Sequence, residues 1–397
     1  MRKTLGSVDI GLIIGLVSLV LVGSLAYLFP TAKIPDPGGK YEVGVEIIEL
    51  DDNSRIDPFS DGEMTRRLVI DIWYPSDDTS GKRRSPWFRS HSLFVESLAD
   101  NYDLSPLLFQ HLRAVKTNSF IGAAPSANAN NLPVVILSPG MPAIVPLYFS
   151  FAEYLASRGF VVVGIEHPYA ASVVEFSDGS QFHFNKDRVL DLPGVETFEE
   201  GARLSMELMA DDLSFVIDSL SKLNESGHQL AGIFDVDRVA AFGHSGGGGV
   251  VHFASNDDSR IKALLSYDPA LFMLNDNEIE EGIGIPSLII ETDEWKFREE
   301  SGRISDLIES SVFPPLHIKI SEARHPDFAM LDHLSPLAHF LDFTGSFMKS
   351  GGEYYLYDII HSFLEYTFGN LSESELLSRL LQRDDVRVFK GIHEIPR

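Results

Sequence analysis

From Pro133 onward, short unbroken apolar runs recur along the chain. They are Val134–Leu137, Phe160–Ile165, Val239–Phe242, Ile261–Tyr267, Ser287–Thr292 and Leu316–Ile320. Continuous rather than alternating runs predict strands buried on both faces, as in a parallel sheet. Between them lie stretches of helical pattern: Leu147–Arg158 closed by Gly159, Ala202–Leu223, and Gly248–Ala254. Upstream, Tyr41–Leu50 and Arg67–Tyr74 alternate and predict an antiparallel entry to the sheet. Trp87–Ala124 has helical spacing in places and is expected over the core or a site mouth. Ser172–Glu200 reads as a polar insert, and Tyr354–Phe368 and Glu373–Leu381 as two tail helices. Strands separated by helices imply an α/β fold, a mostly parallel central sheet with helices on both faces.

The N-terminus follows another pattern. Arg2 and Lys3 precede Ile10–Phe29, which carries no charge, and Pro30 ends the run. An apolar helix of about 20 residues is long enough to span a bilayer. Ser24-Leu25-Ala26 also has the form of a signal-peptide cleavage site. Residues 1–30 are thus expected to be a hydrophobic helix acting as membrane anchor or signal segment. Thr31–Lys40, rich in Pro and Gly, reads as a linker, and residues 41–397 as one globular domain. Basic residues ahead of the apolar run stay cytoplasmic, so the domain is expected outside the cell or in the periplasm, and secreted if cleavage occurs.

Composition narrows the classes. The 397 residues include 44% hydrophobic and 23% charged, an ordinary globular balance. A net charge of −26 disfavours nucleic acid as a partner. With no cysteine, disulfides, thiolate metal sites and a cysteine nucleophile are excluded. The chain has no His-Glu-x-x-His, no phosphate-cradling loop with Lys and no dinucleotide fingerprint, so neither metal nor cofactor is expected.

The chemistry concentrates at Gly243-His244-Ser245-Gly246-Gly247, a G-x-S-x-G directly behind the strand Val239–Phe242 and ahead of a helix. A strand turning sharply into a helix strains the serine backbone and needs small neighbours, which is the nucleophile elbow of an α/β-hydrolase. A serine is a weak nucleophile and needs a base. In this fold the acid and then the histidine follow the serine in the chain. His325 fits, in a polar loop after Leu316–Ile320. His333 and His339 fall in a helical stretch, His244 belongs to the elbow, and His167 precedes the serine. Asp268 and Asp293 each end a strand, and both remain open as the acid. Gly246 offers one oxyanion amide and Met141 the other, since Pro139 and Pro142 have none.

Several stretches carry a resemblance: Val69–Pro75, Val134–Pro142, Leu155–Pro168, Phe242–Gly247, Tyr267-Asp268-Pro269 and His325-Pro326-Asp327-Phe328. Over about Tyr41–Leu381 the chain resembles the plasma-type (isoform II) platelet-activating-factor acetylhydrolase family and its bacterial, dienelactone-hydrolase-like relatives. The resemblance implies Asp268 as the acid, and a serine esterase acting on short or oxidised acyl esters, such as phospholipids of that kind. The family's usual His-Gly is Pro139-Gly140 here, which loses a side chain but keeps the amide. Two other readings stand beside it. One is a cutinase, polyester or dienelactone-type hydrolase, in whose cutinase form Asp293 would be the acid. The other is a non-catalytic binding protein of the same fold.

Overall fold

The computed structural model describes residues 7–28, 34–60, 64–192, 194–295 and 300–397. Its strands in chain order are β1 (Glu42–Ile56), β2 (Thr65–Ser76), β3 (Arg84–Pro86), β4 (Lys116–Ile121), β5 (Leu132–Ser138), β6 (Val161–Glu166), β7 (Val173–Glu175), β8 (Gln181–His183), β9 (Phe234–His244), β10 (Ile261–Tyr267), β11 (Ser287–Thr292), β12 (Leu316–Ile320), β13 (Val386–Lys390) and β14 (His393–Glu394). Twelve of them form one sheet in the order β14-β13-β12-β11-β10-β9-β5-β6-β2-β1-β4-β3, while β7 and β8 pair separately. The run from β6 to β12 is parallel throughout, and β2 joins it antiparallel.

The helices used below are α1 (Ser7–Leu28), α2 (His91–Tyr102), α3 (Phe149–Ala156), α4 (Phe198–Asn224) and α5 (Gly246–Asp257). Each strand feeds both faces. Val135 and Leu137 of β5 pack with α3 and the helix Gly352–Thr367, whereas Val134 and Ile136 pack with α4 and α5. Two apolar cores therefore sandwich the sheet, which is why its strands read as unbroken apolar runs.

Local differences from the sequence reading have local causes. The leucine-rich spacing in 87–124 forms α2 and a 3₁₀ stretch Pro106–Ala114, but Lys116–Ile121 becomes β4 by pairing parallel with β1. The insert 172–200 holds the β7–β8 hairpin. Val386–Lys390 was not expected as a strand; it adds antiparallel to β12, burying Val386 and Val388. Residues 34–40, expected as a linker, lie against the domain. Asn118 donates to the Pro35 carbonyl, Arg158 to that of Pro37 and Tyr354 to that of Asp36. The α1 helix covers Ser7–Leu28, with its side chains described and exposed at 12–20 and 23–24. Phe29 to Lys33 lie outside the described residues. Among the described residues no helix is long and apolar enough to cross a membrane.

One buried acid gives the fold a pH signature. Glu166, at the end of β6, is 3% exposed. Burial, then repulsion from Asp71, lifts its pKa to about 8 against the pull of Arg89 at 3.8 Å. In the unfolded chain it titrates near about 4.3. The native state therefore keeps a proton that the unfolded chain gives up. The stabilising effect of that proton is complete below about pH 4.3 and fades as pH climbs toward the folded pKa. Glu166→Gln, which keeps the neutral shape, should match wild type at pH 4 and exceed it at pH 8–9 in urea unfolding. A stability difference that does not vary with pH would contradict this.

Candidate active site

Strand register sets the site. Ser138 at the end of β5 aligns with Gly243 of β9, and His244 of β9 aligns with Tyr267 of β10. The three loops that follow therefore leave the sheet at one level. Parallel α/β sheets bind ligands at this carboxyl edge.

Ser245 sits between β9 and α5 with φ 55° and ψ −119°. A non-glycine residue held there costs about 1–3 kcal/mol, which surrounding bonds must offset. The Ser245 amide donates to the Tyr267 carbonyl at 3.0 Å, and the Ala270 amide donates to the Ser245 carbonyl at 2.9 Å. The flanking residues must be small. A Cβ on Gly243 would lie 2.1 Å from the Gly247 carbonyl oxygen, and one on Gly247 2.1 Å from that of Ser138.

His325 opens a short 3₁₀ turn after β12. Its Nδ1 lies 3.1 Å from Asp268 Oδ2. The indole of Trp295 stacks on the imidazole at 4.4 Å and 8°, and the His325 amide donates to Glu294. Asp327 accepts from the Arg324 and Gly345 amides and so closes the loop that carries His325. Asp268 is fully buried. Burial raises its pKa, while the bond to His325 opposes the rise. Thr292 donates to it twice, from its amide at 2.8 Å and its hydroxyl at 2.7 Å. Each acceptor oxygen thus has a donor, as a buried carboxylate requires.

Asp293 occupies the matching place one strand further and accepts from the Glu322 amide at 3.3 Å. The structure therefore brings Asp268 to His325 and places Asp293 against a neighbouring loop. His333 pairs with Glu353 and His339 with the Thr344 carbonyl.

Met141 and Gly246 face each other: a Cβ on Gly246 would fall 2.8 Å from the Met141 Cε. Behind them runs a chain of bonds. The Gly140 amide donates to the Tyr148 hydroxyl at 3.1 Å, which meets His244 Nδ1 at 2.8 Å. His244 Nε2 then reaches the His325 carbonyl at 2.9 Å. Burial, with His325 adding repulsion, holds the His244 pKa well below its usual value. A neutral His244 accepts at Nδ1 and donates at Nε2, tying the loop Pro139–Pro142 to the backbone of the histidine loop.

Ser245, His325, Met141 and Gly140 line one cavity of ≈110 Å³, walled by Phe94, Leu98, Leu147 and Leu331. Phe94 and Leu98 come from α2, so the segment after Trp87 does reach the site. A second, apolar groove of ≈110 Å³ adjoins it through Leu98 and Leu331 and continues along Leu104, Leu108 and Leu341. The sequence reading missed Tyr148, Thr292 and Trp295, which lie in no motif and are placed only by the fold. A seryl hydroxyl that shares a cavity with an imidazole, one nitrogen of which is held by a buried carboxylate, can perform nucleophilic acyl transfer. Among the described residues no group of three or more His, Asp or Glu could hold a metal ion.

Comparison with known proteins follows the same lines. The family described as platelet-activating factor acetylhydrolase, isoform II, matches residues 26–201 and 212–333. A protein of Arthroderma benhamiae named "Probable 1-alkyl-2-acetylglycerophosphocholine esterase" is 25% identical over 269 residues, 65% of this chain and 64% of its own. The platelet-activating factor acetylhydrolase of Cavia porcellus is 24% identical over 293 residues, 70% of this chain and 64% of its own. The chain thus spans about 64% of the length of these relatives. The solved ferulic acid esterase from Streptomyces cinnamoneus aligns with a TM-score of 0.71 at 21% identity, over 91% of this chain and all of the other. That likeness shows the α/β-hydrolase fold.

The geometry separates the two aspartates experimentally. Asp268→Asn should lower kcat for p-nitrophenyl acetate by about 10⁴, since the imidazole loses the group that orients it. Asp293→Asn should stay within a few-fold of wild type. The reverse pattern would reassign the acid.

Proposed function

The chain belongs to the platelet-activating factor acetylhydrolase, isoform II, family, and from that premise we propose that it is a serine carboxylic-ester hydrolase working through an acyl-enzyme. The observation that carries the reading is the strained Ser245 at the end of β9, sharing one cavity with a His325 whose Nδ1 is paired to buried Asp268. Ser245 Oγ attacks the ester carbonyl carbon as His325 Nε2 takes its proton. The oxyanion is held by the Met141 and Gly246 amides. Collapse expels the alcohol, which takes the proton from His325. Water then repeats the sequence on the acyl-enzyme and frees the acid and the serine. Asp268 orients the imidazole and stabilises its charged form.

The substrate class follows from the walls. A cavity of ≈110 Å³ closed by Phe94, Leu98 and Leu147 supports a short or oxidised acyl group on the serine side. The adjoining leucine groove supports a lipid ester, with an alkyl chain along it, in keeping with the glycerophosphocholine in the name of the Arthroderma relative. The pairing of Asp293 with Glu322 gives the cutinase-like alternative no support.

We place the domain outside the cytoplasm, tethered through the apolar N-terminal run behind Arg2 and Lys3. The charge of −26 favours neutral or zwitterionic over anionic lipid surfaces at low salt, a preference that salt should erase.

Three experiments test this reading. An organophosphonate should label Ser245, and Ser245→Ala should lower kcat by on the order of 10⁴ or more. Along a p-nitrophenyl ester series, kcat/KM should fall about tenfold or more between butyrate and chains of C12 and above, because extra methylenes lack a place. Labelling that persists in Ser245→Ala defeats the nucleophile assignment, and palmitate cleaved as well as acetate defeats the short-acyl claim. For the tether, the full chain should sediment with membranes and resist carbonate, whereas a chain starting at Ile34 should stay in solution and remain active. A mature N-terminus at Tyr27 would mean secretion instead.

A further inference from the structure

We propose that Asp212, His167 and Ser138 form a second Ser-His-Asp constellation, one that performs no chemistry but fixes the oxyanion loop, with His167 as its positioning residue. The proposal rests on the serine-hydrolase reading above. His167 Nδ1 lies 2.9 Å from Asp212 Oδ2, and His167 Nε2 lies 3.2 Å from Ser138 Oγ. The order of groups matches the one proposed at Ser245, but the setting differs. Ser138 and Asp212 are fully buried and His167 is 2% exposed, so no ester can reach this serine. Ser138 also lies within regular strand β5 rather than on an elbow.

The protonation pattern is determined by the charges behind it. Arg66, fully buried on β2, binds Asp212 through two bonds at 2.6 and 3.1 Å and Asp57 at 2.9 Å. Arg55 of β1 adds a bond to Asp212 at 2.9 Å. Burial alone would lift the Asp212 pKa, yet Arg66 and His167 outweigh it and keep this carboxyl ionised. An ionised Asp212 requires a donor from His167, so the proton sits on Nδ1. Burial keeps His167 from taking a second proton, despite the attraction of Asp212. Its Nε2 is then an acceptor, and the Ser138 hydroxyl must donate to it.

The consequence falls on the loop. Ser138 is the last residue before Pro139-Gly140-Met141, the stretch that offers the Met141 amide. The Ser138 and Pro139 carbonyl oxygens would lie 2.1 and 2.5 Å from a Cβ on Gly247, so this backbone is pressed against the elbow helix. The bond to His167 holds it from the face of β5 that packs α4 and α5, opposite the face that carries Tyr148. Buried ion clusters are a weak route to stability, since apolar replacements of similar volume are often as stable. What an apolar replacement could not supply is one fixed acceptor aimed at Ser138.

The test compares wild type with Ser138→Ala, which removes only the hydroxyl, and His167→Phe, which keeps the ring. A displaced oxyanion donor should lower kcat by about 10- to 100-fold with KM within about twofold. Affinity for a trifluoromethyl ketone, which forms a tetrahedral adduct with an oxyanion, should fall by the same factor. Amide hydrogen exchange at Gly140, Met141 and Ala143 should quicken. A purely structural role would lower Tm while leaving kcat per folded molecule and inhibitor affinity unchanged, and that result overturns the proposal. So does a fall in kcat with affinity and exchange both unaltered. If His167→Phe fails to fold, Ser138→Ala decides alone. Should wild type hydrolyse no ester and resist the phosphonate, the hydrolase reading fails, and the exchange measurement still decides whether His167 holds the loop.

Discussion

Everything at this site depends on the register of three adjacent parallel strands. β5, β9 and β10 end level with one another, and from their ends come the loop Pro139–Pro142, the strained Ser245 and Asp268. A shift of one residue would turn every side chain of a strand to the opposite face. Register is pinned by burial on both faces: Val135 and Leu137 serve one core, Val134 and Ile136 the other. The active site is thus a by-product of the two cores agreeing. The strained backbone at Ser245 is held by Tyr267 at the end of β10, which accepts its amide, and by Ala270 in the loop that follows, which donates to its carbonyl.

The same geometry distinguishes the two candidate acids. Asp268 and Asp293 end consecutive strands and look equivalent along the chain. They differ in what lies beyond them. β11 separates Asp268 from β12, and its last residue, Thr292, turns both amide and hydroxyl toward Asp268. The loop bearing His325 crosses over this point, held by Trp295 and Glu294. Asp293 lies one strand nearer the root of that loop and is used there, by Glu322. A carboxylate next to the nucleophile strand, with donors from the next strand, can stay ionised while fully buried. That is the state an orienting group for an imidazole must hold.

What the chain revealed by itself follows the same division. The parallel strands were legible as unbroken apolar runs, and the elbow because its glycines and serine directly follow one of them. Order along the chain singled out His325, whereas the two aspartates stayed level until the family resemblance favoured Asp268. Contacts between distant segments were not legible. Arg66 lies just before the alternating stretch Arg67–Tyr74 and no pattern marks it, yet it is fully buried, with Asp57 and Asp212 converging on it, the latter 146 positions away. Tyr148 belongs to no motif. The β13–β14 hairpin is short, and its alternation in Val386–Lys390 acquires meaning only when β12 offers an edge.

The two histidines that serve no chemical step explain how a loop with so few side chains can be held still. Pro139, Gly140 and Pro142 contribute almost nothing to grip. Rigidity has to come from the residues around them, and hydroxyl groups alone rotate freely between partners. A neutral imidazole is stricter: one nitrogen donates, the other accepts, and the ring cannot exchange the roles without breaking both bonds. His244 accepts at Nδ1 and donates at Nε2, whereas the bond to ionised Asp212 puts the proton of His167 on Nδ1 and leaves Nε2 to accept. Burial keeps both rings from becoming doubly protonated, which would turn each acceptor into a second donor. An oxyanion hole works only if its amides need not reorganise during reaction. In the proposed site that condition would be met by fixing proton positions in the layer behind the loop, leaving the loop itself small enough to let substrate approach.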